Sequence, residues 1–150
     1  EIIYALYRAS QSGVTIKLIV RGICCLRPGR PGLSENIEVI SLVGDFLEHS
    51  RIYHFHNNGE TRTYSGSADM MVRSFDKRLE SLFKVESPIL EKQLMNILAY
   101  NLRDNVNAYV MQEDGTYKPK SPSGDEVEFN VHKEFFNLNA EEVMAVKLVE

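Results

Sequence analysis

The 150-residue sequence is short of several things, and each shortage excludes a class of protein. It has two cysteines, adjacent at Cys24 and Cys25, so a disulfide scaffold is excluded. Neighbouring cysteines rarely bridge each other because the geometry is strained. Their apolar flanks, Ile23 and Leu26, suggest buried thiols in a reducing compartment. Five prolines and nine glycines are too few for collagen or a low-complexity tail. No apolar run approaches the roughly 18–20 residues a membrane-spanning helix needs. No signal peptide opens the chain, and neither does a methionine. Glu1 stands directly before an apolar-periodic segment, as if the chain were a piece of a longer protein. Zinc Cys/His spacing, a Walker A loop and GxGxxG are all missing.

What is present is an ordinary globular composition, 43% hydrophobic and 25% charged, enough for one domain with a real core. The net charge of −4 hides an asymmetry. Residues 1–33 carry +4, residues 34–84 carry −2 and residues 85–150 carry −6. A basic beginning in an acidic protein points to a local anion site rather than a general nucleic-acid surface.

Periodicity predicts a helix over 2–12, with Ile2, Leu6 and Ala9 on one face and Gly13 as its C-cap. Thr15–Val20 reads as a buried strand. Two Pro-Gly pairs make 21–32 a turn-rich loop. Strands are expected over 36–43, 47–56 and 61–64, with Asn57-Asn58-Gly59 as a type I′ hairpin turn between the last two. Gly66–Asp69 closes that hairpin, 70–76 is a short helix or loop, and 78–85 is a further strand. Ser87-Pro88 opens a helix to about Arg103, with Leu90, Leu94, Ile97 and Leu98 as its stripe. Asn107–Val110 and Tyr117 flank a turn at 113–115. Residues 118–128 read as a flexible polar linker, and 131–150 as a helix. Alternating strands and helices argue for an α/β fold with a mixed sheet, whose ligands bind beyond the carboxyl ends of the strands.

Three constellations bear on chemistry. Arg21-Gly22 and the following Arg27–Arg30 loop offer guanidinium donors matched to phosphate oxygens, with a solvated loop as the alternative. His49-Ser50-Arg51 followed by Gly66-Ser67-Ala68-Asp69 has the outline of the His-x-Lys plus Gly-Ser-x-Asn half-site of phospholipase D–type phosphotransferases. There an imidazole attacks or protonates phosphorus–oxygen bonds, and a cation with a Gly-Ser turn holds the phosphate. Arg51 stands in for lysine and Asp69 for asparagine, and a structural histidine is the alternative. His54-x-His56 places two imidazoles on one strand face, but no third metal ligand is visible nearby, and a structural or surface role is favoured for both. His132 is read the same way.

The block Ile19-Val20-Arg21-Gly22-Ile23-Cys24-Cys25-Leu26-Arg27-Pro28-Gly29 resembles the arginine motif of the long, multidomain bacterial polyphosphate kinases. Ser34–Ile37, Phe46–Ile52, Ser67–Met71, Arg73 and the Arg78-x-Glu80 pair resemble the same family, in order, over residues 1 to 118. Met70 departs from the tryptophan often found after Ser-Ala-Asp. The resemblance implies the second of two phospholipase D-like C-terminal domains, over 1–118, followed by a polar linker and C-terminal helix over 119–150. It implies an enzyme that reversibly transfers the terminal phosphate of ATP to polyphosphate with Mg2+, the ion being bound mainly outside this chain. The phosphorylated histidine would lie in a preceding domain. His49 would be the catalytic residue here, Arg21 and His49 would contact ATP and phosphate, and Arg51, Ser67 and Asp69 would support them. ATP/ADP, polyphosphate and the preceding domains would be the partners, with no nucleic acid and no transmembrane segment. The full-length protein would be a cytoplasmic homo-oligomer, with peripheral attachment at the inner membrane left open. A phosphodiesterase or nuclease half-site and a non-catalytic polyphosphate-binding or assembly module are the competing readings.

Overall fold

The structure is a computed structural model in which residues 1–137 and 139 are described. The elements in chain order are α1 (Ile2–Gln11), β1 (Ile16–Ile19), β2 (Ile37–Leu42), β3 (Ile52–Phe55), β4 (Arg62–Gly66), α2 (Val72–Asp76), β5 (Leu82–Lys84), α3 (Pro88–Arg103), β6 (Ala108–Met111), β7 (Tyr117–Pro119) and α4 (Val131–Asn137). They form two compact units. The first comprises Glu1–Glu48 and Asn101–Phe136, and the second is built on His49–Tyr100.

The first unit holds the mixed sheet, in the order β1-β2-β6-β7. β1 runs parallel to β2, with Ile16 opposite Ile37, and β6 runs antiparallel to β2, with Ala108 opposite Leu42. β2 is an interior strand, buried along its length except at exposed Glu38, so it is covered on both faces over most of its run. Val39 and Ile40 are fully buried in it. Ile3, Leu6 and Tyr7 of α1 pack on a core of Leu26, Ile37, Val39 and Met111. The apolar face of α1 is thus centred on Ile3 rather than on Ile2 and Ala9. Gly13 takes φ +86°, a left-handed conformation that ends the helix as expected. Buried Ser10 then accepts from Asn36 N–H through its hydroxyl, and the Asn36 amide donates to its carbonyl, joining α1 to the start of β2.

The loop after β1 is more ordered than its Pro-Gly pairs imply. Ser34 is fully buried; its hydroxyl donates to Arg27 O at 2.6 Å and accepts from Arg30 N at 3.1 Å. Arg27 N–H in turn donates to the Tyr7 hydroxyl at 2.8 Å. The cysteines differ from the expectation of buried thiols. Both are free, Cys24 is half-buried against the core and Cys25 is exposed, because alternation in extended chain sends neighbours to opposite sides.

At the end of α3 the backbone turns around a buried carboxylate. Asp104 Oδ1 accepts from the amides of Val106, Asn107 and Ala108 at 3.0, 2.6 and 3.0 Å, and Oδ2 accepts from Val131 N at 2.8 Å. Asn105 beside it donates to Val127 O and accepts from Phe129 N at 2.7 Å. The stretch 118–128, read as a flexible linker, therefore includes Lys118 and Pro119 of β7, a Lys120 ammonium donating to Leu102 O at 2.7 Å, and Val127, whose carbonyl Asn105 holds. Of the helix expected over 131–150, the part to Asn137 is α4; the rest falls outside the described residues, apart from Asn139, which is not helical.

The second unit holds an antiparallel sheet in the order β3-β4-β5. The β3–β4 hairpin is where the sequence places it, but its turn is longer than a two-residue type I′. Phe55 pairs with Arg62, and the chain between them is left-handed at Asn57, Asn58 and Gly59, with φ 46°, 54° and 89°. β3 begins at Ile52 rather than 47, and β5 occupies only three residues of the expected 78–85. Gly66 is demanded by the β4–β5 crossing: a Cβ there would lie 2.1 Å from Ser81 O. Fully buried Thr63 links the sheet to α3, its hydroxyl donating to Glu91 Oε1 at 2.8 Å.

Candidate active site

In the second unit, the segment entering β3 and the turn leaving β4 bring three of the expected residues together. Arg51 is the hub. Its Nε donates to Asp69 Oδ1 at 3.0 Å. Its Nη1 contacts His49 Nδ1 at 2.8 Å and donates to His49 O at 2.9 Å. The backbone of Arg51 is held as well, since Ser65 Oγ donates to its carbonyl at 3.0 Å. On its other side, Asp69 Oδ2 faces Arg73 Nη2 at 3.7 Å, one helical turn along the chain. The hydrogen bond from Arg51 holds the Asp69 carboxyl below the usual carboxylate range, with smaller help from the charges of Arg51 and Arg73. The same bond raises Arg51 above its already high value. Asp69 is thus a fixed anion between two guanidinium groups, and the row His49–Arg51–Asp69–Arg73 carries an excess of positive charge.

The turn that presents Asp69 is built by main-chain contacts. The Tyr53 hydroxyl donates to Ala68 O at 2.6 Å, and burial raises the pKa of that phenol, keeping it a donor. Ser67 is turned elsewhere. Its hydroxyl gives a short hydrogen bond to Glu80 Oε2 and accepts from Ser81 N at 3.0 Å, so its proton is committed to a carboxylate. Glu80 and Arg73 are participants that motif reasoning left outside the site, although both lie in blocks that carry the family resemblance. Tyr53 had no sequence signal beyond its place on β3.

Arg21 lies in the first unit, just past the carboxyl end of β1. Its carbonyl accepts from Ser41 Oγ at 3.2 Å, and its exposed guanidinium donates to Glu48 O. The neighbouring segment is anchored by His132 of α4. Phe46 N donates to His132 Nδ1 at 3.3 Å, the two rings meet edge-on, and Glu48 Oε1 stands 3.6 Å from His132 Nε2. The His132 ring is almost fully buried, in keeping with its structural reading.

His54 Nδ1 bonds Thr63 Oγ1 at 2.9 Å, and burial lowers its pKa; His56 is exposed beyond the end of β3. Among the described residues, no three His, Cys, Asp or Glu side chains cluster as metal ligands. No described helix is long and apolar enough to cross a membrane.

The fold is the mixed α/β, phospholipase D-like one. The chain superposes on the crystal structure of polyphosphate kinase from Porphyromonas gingivalis with a TM-score of 0.85 and 41% identity, over 90% of this chain and 20% of that one. It is 49% identical over 132 residues to the polyphosphate kinase of Thermosynechococcus vestitus, covering 88% of this chain and 18% of the relative. To that of Pseudomonas aeruginosa it is 52% identical over 126 residues, 84% of this chain and 18% of the relative. Residues 1–131 match the family described as polyphosphate kinase C-terminal domain 2, and the chain belongs to that family. It spans about a fifth of the length of these relatives.

Proposed function

We propose that this chain supplies one half of the phosphotransfer site of a polyphosphate kinase. The carrying observation is the exposed His49, gripped by an arginine that is itself fixed by Asp69, in a chain of this family. The whole enzyme would move the terminal phosphoryl group of ATP to polyphosphate, reversibly and with Mg2+. The bond from phosphorus to the ATP bridging oxygen breaks, a phosphorus–nitrogen bond forms on a histidine of a preceding domain, and a terminal polyphosphate oxygen then displaces that histidine. Loose phosphoryl transfer spreads negative charge over the equatorial oxygens, and catalysis is mainly positioning and charge stabilisation. Arg21 would meet that charge with a planar donor pair. His49 would hydrogen-bond the phosphoryl oxygens or exchange a proton with the leaving or entering oxygen. Arg51 and Asp69 would hold His49, and Ser67 would hold the Gly-Ser turn through Glu80. The enzyme would act in the cytoplasm as a homo-oligomer, with Mg2+ held mainly by groups outside this chain.

The test is polyphosphate synthesis by the full-length enzyme carrying Arg21→Ala or His49→Ala. Each variant is expected to lose activity by about 100-fold or more while keeping its thermal melting profile. Near-wild-type rates in both would remove the residues from the site. Phosphodiester hydrolysis by the 150-residue chain alone would replace the kinase reading with that of a phospholipase D-like hydrolase.

A further inference from the structure

The contact between Arg51 and His49 decides where the proton on the His49 ring resides. A guanidinium has five N–H donors, no acceptor, and stays charged throughout the working range of a protein. A nitrogen 2.8 Å from Arg51 Nη1 must therefore be the acceptor, so His49 Nδ1 carries the lone pair. A neutral imidazole with a bare Nδ1 carries its proton on Nε2. The second hydrogen on Nη1 goes to His49 O at 2.9 Å, so one guanidinium nitrogen holds the residue by ring and backbone together. The guanidinium cannot swivel out of that position, because its Nε is bonded to Asp69 Oδ1 at 3.0 Å and the Arg51 carbonyl is held by Ser65.

We propose that Arg51 is a positioning residue that locks His49 as the neutral Nε2–H tautomer and aims that N–H outward as a hydrogen-bond donor to a phosphoryl oxygen. The role rests on the functional reading above and narrows it. In this tautomer Nε2 has no lone pair, so it is neither a base nor a nucleophile in the resting site. It polarises the phosphoryl group, as a neutral imidazole can polarise a carbonyl. Asp69 acts one step further back, by orienting Arg51. The same geometry accounts for arginine where the phospholipase D outline has lysine. An ammonium is a compact, rotatable point charge, and it cannot reach the carboxylate, the ring and the carbonyl with one rigid plane.

The first measurement needs no variant. The full-length enzyme is labelled with 15N in histidine alone, and His49→Gln identifies the His49 signals. The expected result at neutral pH is a bare, hydrogen-bonded Nδ1 and a protonated Nε2. A His49 found as the Nδ1–H tautomer, or doubly protonated, overturns the proposal. The second measurement compares Arg51→Gln and Arg51→Lys in polyphosphate synthesis. Holding a catalytic histidine in the wrong tautomer costs about 10⁴-fold in the serine-protease triad, so a loss of kcat of about 100-fold is expected here for Arg51→Gln. KM for ATP should move far less, and the His49 signals should shift to a mixture of tautomers. Lysine should restore less than a tenth of the lost rate. A wild-type tautomer retained in Arg51→Gln, or full rescue by lysine, overturns the proposal. If His49→Gln is as active as wild type, the functional reading falls instead, whatever the tautomer.

Discussion

Replacing Asp104 by asparagine isolates one buried contact with little change in shape. Four main-chain N–H groups converge on the two carboxylate oxygens, three on Oδ1 and that of Val131 on Oδ2. The best asparagine rotamer puts its carbonyl oxygen where Oδ1 was and keeps three of them. Its NH2 then faces Val131 N–H, donor against donor, in a site with no exposure at Asp104 or Val131. One charge-assisted bond is lost and one buried donor is left unmatched, a cost of about 3 kcal/mol. The opposite rotamer would strand three amides instead of one. The effect should be local, because Val131 is the first residue of α4 and Asn105 holds the preceding segment through separate bonds. Amide hydrogen exchange on the peptide spanning 129–137 reads it directly. Exchange should accelerate roughly 150-fold, at tenfold per 1.4 kcal/mol. Asp104→Ala, which leaves all four donors without the carboxylate, should cost more, about 4–6 kcal/mol, enough to threaten a unit of ordinary marginal stability. If Asp104→Asn changes exchange in this peptide by less than about threefold, the carboxylate is not what holds α4 in place.

Two further outcomes test other contacts. A Cβ on Gly44 would lie 2.6 Å from His132 Nδ1, so Gly44→Ala should destabilise the first unit by about 1–3 kcal/mol. Much of that cost should vanish in the Gly44→Ala/His132→Ala double variant, and a urea-denaturation cycle with no coupling would rule the clash out. Asp69 titrates below its unfolded value because of Arg51, so its contribution to stability is complete above about pH 3.9 and is lost as the pH falls through the lower folded value. NMR titration should show the Asp69 midpoint rising in Arg51→Gln, and Asp69→Asn should flatten the acid end of the stability curve; an unmoved midpoint would deny the ion pair. Since the carboxylate is 35% exposed, the effect should shrink with added salt.

Local signals carried much of the fold. α3 runs from Pro88 to Arg103 as read, because a proline at the first helical position and a continuous apolar stripe are properties of the segment itself. β2 and the β3–β4 hairpin were legible for the same reason. The misreadings fall where distant residues decide. Residues 47–51 look strand-like, yet β3 starts only at Ile52, because the preceding segment is tied to His132, far along the chain. The 78–85 run shortens to β5 where Ser81 meets Gly66. The polar composition of 118–128 gives no hint that Asn105 holds Val127 and Phe129, or that Asp104 holds the start of α4. In the candidate site, His49 and Arg51 are neighbours by spacing alone. That Asp69 fixes Arg51, and that Glu80 accepts the Ser67 hydrogen bond, depends on how two turns of the sheet meet.

The pairing of β2 with β6 has a consequence for how the chain reaches its folded state. Leu42 lies opposite Ala108, and Val43 N–H reaches Asn107 O, so everything between Val43 and Asn107 is an excursion that leaves and re-enters one antiparallel ladder at adjacent rungs. On a ribosome, β1 and β2 emerge early and must wait for β6, so the apolar edge of β2 stays unpaired while His49–Tyr100 is being made. Closing so long a loop costs only a little more free energy than closing a short one, but it delays the contact. The second unit is in effect a guest in a hairpin.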